Sequence, residues 1–69
     1  MVKISERLRA LRKEKKMRQA DVAKLLGIGV RTYQYYESDE HRPDYEMLIV
    51  LADFFGVSTD YLLGRSEER

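Results

Sequence analysis

Arg31 and Gln34 stand three residues apart in a segment, 30–37, whose opposite side carries Tyr33 and Tyr36. On a helix that spacing sets Arg31 and Gln34 one turn apart on one face, with Val30 and Tyr35 beside them. The chemistry of such a face suits the edges of nucleobases. A guanidinium donates two hydrogen bonds to O6 and N7 of guanine, and a carboxamide pairs with N6 and N7 of adenine. Val30 can pack on a thymine methyl, and Tyr35 can do the same or reach a phosphate with its hydroxyl. Taken singly, Arg31 and Gln34 are ordinary solvated helix residues. Their weight comes from the unit that holds them.

That unit is QADVAKLLGIGVRTYQYYE, residues 19–37. It reads as two short helices, about 19–26 and 30–37, joined at Gly27. Two helices cross closely only where no bulky side chain intervenes, and Ala23 meets that need. Gly27 can take the left-handed conformation that ends a helix without a Cβ penalty. Val22, Leu26, Ile28, Tyr33 and Tyr36 give the pair a common apolar side. The result is a helix-turn-helix with one face of its second helix free to enter a major groove. Gln19 opens the first of these helices, where donors point out of a positive helix end, so it suits a phosphate or its own helix cap.

The flanking segments supply the scaffold. Helix one is expected from Val2 or Ser5 to Lys15, with Ile4, Leu8 and Leu11 on its buried stripe. Lys15, Lys16 and Arg18 crowd its negative pole, a structural reason for part of the basic run, and Met17 is expected to plug the core. The sequence SDEHRP, 38–43, lacks apolar residues and reads as a loop, with Arg42 held extended by the following proline. Asp44 caps a fourth helix carrying Leu48, Leu51, Ala52 and Phe55, with Met47, Ile49 and Phe54 widening the apolar band. Gly56 stops it, Ser58 caps a short fifth helix with Asp60 in its first turn, and Gly64 ends that helix. Residues 1–64 therefore form the domain, and 65–69 are expected to fray.

Composition narrows the class. A chain of 69 residues makes one domain, which at this size buries only about 60% of the surface its unfolded form exposes. It has no cysteine, so disulfides and thiolate chemistry are excluded, and the usage fits a reducing, cytoplasmic setting. No apolar run approaches the roughly 20 residues of a membrane span, and the start lacks a signal-peptide core. A membrane-surface role for the basic first helix is disfavoured, because that helix needs its apolar stripe for the core. His41 is the single histidine and has no partners at ligand spacing, so no metal site is expected. Asp53, Asp60, Glu67 and Glu68 are scattered, and no nucleophile with a base, carboxylate pair or phosphate loop is present; neither catalysis nor a cofactor nor a small-molecule ligand is expected. Charge is divided: residues 1–31 hold ten Lys/Arg against three acids, +7, and residues 32–69 hold three against nine, −6. The split suits a basic surface for an anionic partner, or simply helices solvating themselves.

In order and spacing, RLRALRKEKKM, QADVAKLLGI, YYE, the proline at 43 and LADFFGVSTDYLLG resemble the lambdoid repressor and Cro family, the xenobiotic-response-element type. The resemblance runs from Ile4 to Gly64. It implies an all-α, five-helix lambda-repressor-like domain whose helices two and three form the helix-turn-helix. By the same resemblance Val30, Arg31, Gln34 and Tyr35 meet bases, while Gln19, Arg18, Ser38, Arg42 and Arg12 meet phosphates. Arg12 also pairs with Glu37. Val57, Thr59, Tyr61 and Leu62, around helix five, would form a weak homodimer on operator half-sites of double-stranded DNA, most often for repression, with Tyr61 the preferred contact and Leu62 better suited to completing the core. Four positions depart from the pattern: Arg18 and Gly29 replace usual caps, Tyr33 a usual Ile or Val, and the loop carries Asp39 and Glu40. Two acids beside a phosphate backbone repel it, which leaves open an antitoxin-like or anti-regulator protein-interaction module.

Overall fold

Gly27 has φ 73°, and around it the Ile28 N–H reaches back to the Ala23 carbonyl at 3.0 Å. That bond satisfies a carbonyl the helix end would otherwise orphan and turns the chain sharply into the next helix. The computed structural model describes residues 2–69 and contains α1 (Ile4–Glu14), α2 (Gln19–Leu26), α3 (Val30–Ser38), α4 (Tyr45–Phe55) and α5 (Thr59–Leu62). The same backward bond closes the other four: Met17 to Arg12 at 3.2 Å, Glu40 to Tyr35 at 3.1 Å, Val57 to Ala52 at 2.9 Å and Arg65 to Asp60 at 2.9 Å. Two of these reversals pass through non-glycine residues, Lys16 at φ 57° and Asp39 at φ 67°.

Helix starts are less uniform. Asp44 accepts from the Met47 N–H at 2.8 Å and Ser58 from the Tyr61 N–H at 3.0 Å, as their positions predict. Arg18 has no acceptor to offer α2. Asp21 supplies half of the reciprocal arrangement instead, accepting from the Arg18 N–H at 2.9 Å and from its guanidinium at 3.1 Å. Lys3 and Gly29 open α1 and α3 without a side-chain cap.

Leu8, Leu11, Val22, Ala23, Tyr33, Leu51, Ala52, Phe55, Val57 and Leu62 form the buried core, with Ile4, Met17, Ile28 and Leu48 packed around it. Ala23 is buried where α2 meets α3, as the crossing requires. Ile49 departs from expectation: it points to solvent with Tyr45 and Val50, so the apolar band of α4 is narrower than its composition suggests. The tail departs too. The Ser58 N–H donates to the Arg69 carbonyl at 2.7 Å, and the Arg69 guanidinium pairs with Glu14 of α1 at 2.8 Å, so residues 65–69 are folded back onto the domain. Among the described residues no helix is long and apolar enough to cross a membrane.

Candidate nucleic-acid interface

α3 packs against α1 and α2 through Tyr33 and Glu37, both buried. Its other side presents Val30, Arg31 and Gln34 to solvent, with Tyr35 half-buried at the edge. The structure thus brings together the four side chains suited to base edges, and it connects them to the scaffold. Gln34 Nε2 donates to Gln19 Oε1 at 3.3 Å, and Gln19 Nε2 donates to Glu37 Oε1 at 3.0 Å. Arg12 grips the same carboxylate with two prongs, Nε to Oε2 at 2.7 Å and Nη2 to Oε1 at 3.1 Å, while its Nη1 donates to the Met17 carbonyl at 2.9 Å. A fork of this kind fixes orientation as well as distance. It ties α1, the α1–α2 turn, the start of α2 and the end of α3 to one carboxylate.

The electrostatics follow from that geometry. Burial alone pushes the Glu37 carboxyl up, but hydrogen bonds from Arg12 and Gln19 and the Arg12 charge outweigh it and hold the group below the usual carboxylate range. The Arg12 guanidinium is raised in return, chiefly by its bonds to Glu37. Tyr33 is the residue that the sequence requires to find a partner or the surface, and it finds neither. Its hydroxyl is buried with no well-aligned hydrogen bond, close to the Glu37 carboxylate and the Arg12 guanidinium, and burial first, then the carboxylate beside it, drives its pKa far up.

Candidate phosphate ligands divide into free and engaged. Arg42 is exposed in the loop and makes no ion pair among the described residues. Arg18 is exposed but shared with Asp21. Arg12 is committed to Glu37 and the Met17 carbonyl, so it is first a structural residue. The Ser38 hydroxyl lies 3.2 Å from both the Tyr35 carbonyl and Glu40 Oε1, so its single hydrogen already has internal acceptors. Asp39 pairs with Lys3 at 3.3 Å, which offsets one of the two acids expected to repel a phosphate backbone. Sequence reasoning missed Arg9, which donates to the Glu37 carbonyl at the end of α3. Its position one turn before Arg12 on helix one was the available signal.

The candidate dimer residues differ in how much surface they keep. Leu62 and Val57 belong to the core, Leu62 fully buried and Val57 nearly so, which leaves little surface there for a second copy. Thr59 and Tyr61 remain half-buried. Tyr61 is occupied within the chain: the Arg7 guanidinium lies 3.9 Å from its ring centroid and Arg69 at 5.4 Å. Arg7, counted in the basic run, is in fact a buried residue whose partner is Glu67 at 3.2 Å. Among the described residues four ion pairs, Lys3–Asp39, Arg7–Glu67, Arg12–Glu37 and Arg69–Glu14, join the basic half to the acidic half, three of them with the cation on the basic side. Part of the charge split therefore holds the two halves of the chain together.

The helix-turn-helix family matches residues 8–62, from α1 through α5. The chain belongs to this family. It is 45% identical over 64 residues to the HTH-type transcriptional regulator AnsR of Bacillus subtilis, covering 93% of the chain and 55% of AnsR. Among solved structures, the P22 c2 repressor in complex with synthetic operator 9T superposes with a TM-score of 0.87 at 35% identity, over 96% of this chain and 100% of that one. A transcriptional regulator from Listeria innocua superposes with a TM-score of 0.84 at 40% identity, over 97% of this chain and 63% of that one. The family, of lambdoid repressor and Cro type, comprises transcriptional regulators and is not enzymatic. The chain spans little more than half the length of the curated relatives it matches first, 55%, 56% and 57%.

Proposed function

We propose that the chain is a sequence-specific double-stranded DNA-binding regulator, acting as a repressor, that inserts α3 into the major groove. The observation that carries this reading is the outer face of α3. Val30, Arg31 and Gln34 are solvent-facing on a helix locked from behind by the Arg12–Glu37–Gln19 network. The fold it shares with an operator-bound repressor supports the same conclusion. Arg31 and Gln34 would select bases, and Gln19, Arg18, Arg42 and Arg9 would hold the backbone. One domain touches few base pairs, so operator binding would pair two copies on half-sites roughly 34 Å apart. Thr59 and the outer edge of Tyr61 are the residues of the α5 region left for that contact. Lys3 offsets the charge of Asp39 and leaves Glu40 as the one uncompensated acid of the loop, which weakens the ground for a purely protein-binding module.

Selection of bound sites from random duplex DNA tests the reading, followed by titration against salt. A DNA reader yields a consensus, and log affinity falls with log salt at about −0.9 per neutralised phosphate. Arg31→Ala is expected to cost about 1–3 kcal/mol on the preferred site and to relax one base position. Arg42→Ala weakens all sequences alike. Failure to enrich any sequence, with no binding in low salt, overturns the proposal.

A further inference from the structure

The chain reverses at Asp39 (φ 67°), and the Tyr35 carbonyl accepts from both the Glu40 N–H at 3.1 Å and the His41 N–H at 3.3 Å. The reversal lays the His41 ring against the Tyr35 ring, with centroids 4.9 Å apart and planes tilted by 52°. Tyr35 in turn accepts a hydrogen bond at its hydroxyl from Arg31 Nη1 at 3.3 Å, one helical turn away. His41, Tyr35 and Arg31 thus form a row leading from the loop to the outer face of α3. Behind the row, Tyr35 and His41 wall a hollow shared with Thr32, Tyr36, Arg42 and Asp44. Removing the imidazole leaves the Tyr35 ring free to fall into that space.

We propose that His41 is a positioning residue for base selection: its ring holds Tyr35 upright, and the Tyr35 hydroxyl holds the Arg31 guanidinium ready for the groove. The inference rests on the reading of Arg31 as a base contact. Its physical basis is preorganisation. A free arginine side chain gives up much of its rotamer freedom when it docks on a base, and a contact that narrows that freedom beforehand lowers the loss. The effect belongs to one base position, because only Arg31 among the outward residues leans on Tyr35; Gln34 leans on Gln19. His41 is exposed and outside the core, so its loss does not threaten the fold.

The test uses the full chain on the selected duplex and its single-base variants. Arg31→Ala first identifies the position it reads. His41→Ala is expected to lower discrimination at that same position by about 3- to 10-fold, the scale of one modest hydrogen bond, and to leave other positions and the thermal midpoint unchanged. His41→Phe keeps the aromatic contact and restores discrimination. The inference is overturned if His41→Ala retains full discrimination, or if His41→Phe fails to restore it. It is overturned equally if His41→Ala weakens every sequence alike with a shallower salt slope, the mark of a plain phosphate contact. If Arg31→Ala relaxes no position, the base-contact reading of Arg31 fails, and this inference with it.

Discussion

α1 lends an arginine to each of two neighbours. Arg12 forks onto Glu37 of α3, and Arg7 pairs with Glu67 of the tail while lying over Tyr61 of α5. Both arginines are largely buried; the acids differ. The Glu37 side chain is 2% exposed and that of Glu67 is 86% exposed. Glu37 sits on a helix inside the fold and cannot reach water without unfolding its surroundings. Glu67 can swing into solvent at little loss. The same ion pair is therefore a lock under the candidate reading face and a detachable clasp at the other end of the molecule. An ion pair's value is decided by what happens to the partner left behind.

The largest effect is expected from Glu37→Ala. It strands the Arg12 guanidinium and releases Gln19, and it is expected to destabilise by about 3–5 kcal/mol, read from urea or thermal unfolding. A loss no greater than that of a surface pair would erase the distinction between lock and clasp. Acid probes the same contact without mutation. The folded Glu37 carboxyl ionises below its unfolded value of about 4.3, so its stabilising contribution is complete above that pH and lost as pH falls through the folded value. Stability of the wild type should decline below that point, and more steeply than that of Glu37→Gln.

Tyr33→Phe sharpens the picture of the lock. It deletes a buried hydroxyl that has no partner, so stability should be unchanged or rise by about 1 kcal/mol, and a clear loss would show that the hydroxyl is satisfied. The smallest effect is expected from Glu67→Gln at the clasp. Its change in thermal midpoint should be far smaller than that of Glu37→Ala and vanish in high salt, where exposed charges are screened.

Much of the fold could be read from local chemistry. Gly27, Gly56 and Gly64 mark three of the five helix ends, Asp44 and Ser58 mark two starts, and Leu8, Leu11, Leu51 and Phe55 mark the core by spacing alone. These features depend on residues within one or two turns of each other. What escaped was set by contacts distant in sequence. Lys16 carries no composition signal for its left-handed turn and Asp39 only the tolerance of aspartate for that conformation, Ile49 belongs by spacing to a buried stripe it does not join, and the tail gives no hint of docking on α1 and α5.

The candidate site divides the same way. Spacing alone put Val30, Arg31, Gln34 and Tyr35 on one side of a helix, because a helix repeats every few residues whatever surrounds it. Family resemblance, not spacing, paired Arg12 with Glu37. Only the folded arrangement decided that Gln34 leans on Gln19, that Val57 serves the core, and that Tyr61 lies between two arginines. Periodicity is a property of the local backbone and is written into the order of residues. Which charged or polar group meets which across 25 to 60 positions depends on how the helices dock, and that is settled by the packing of the whole chain.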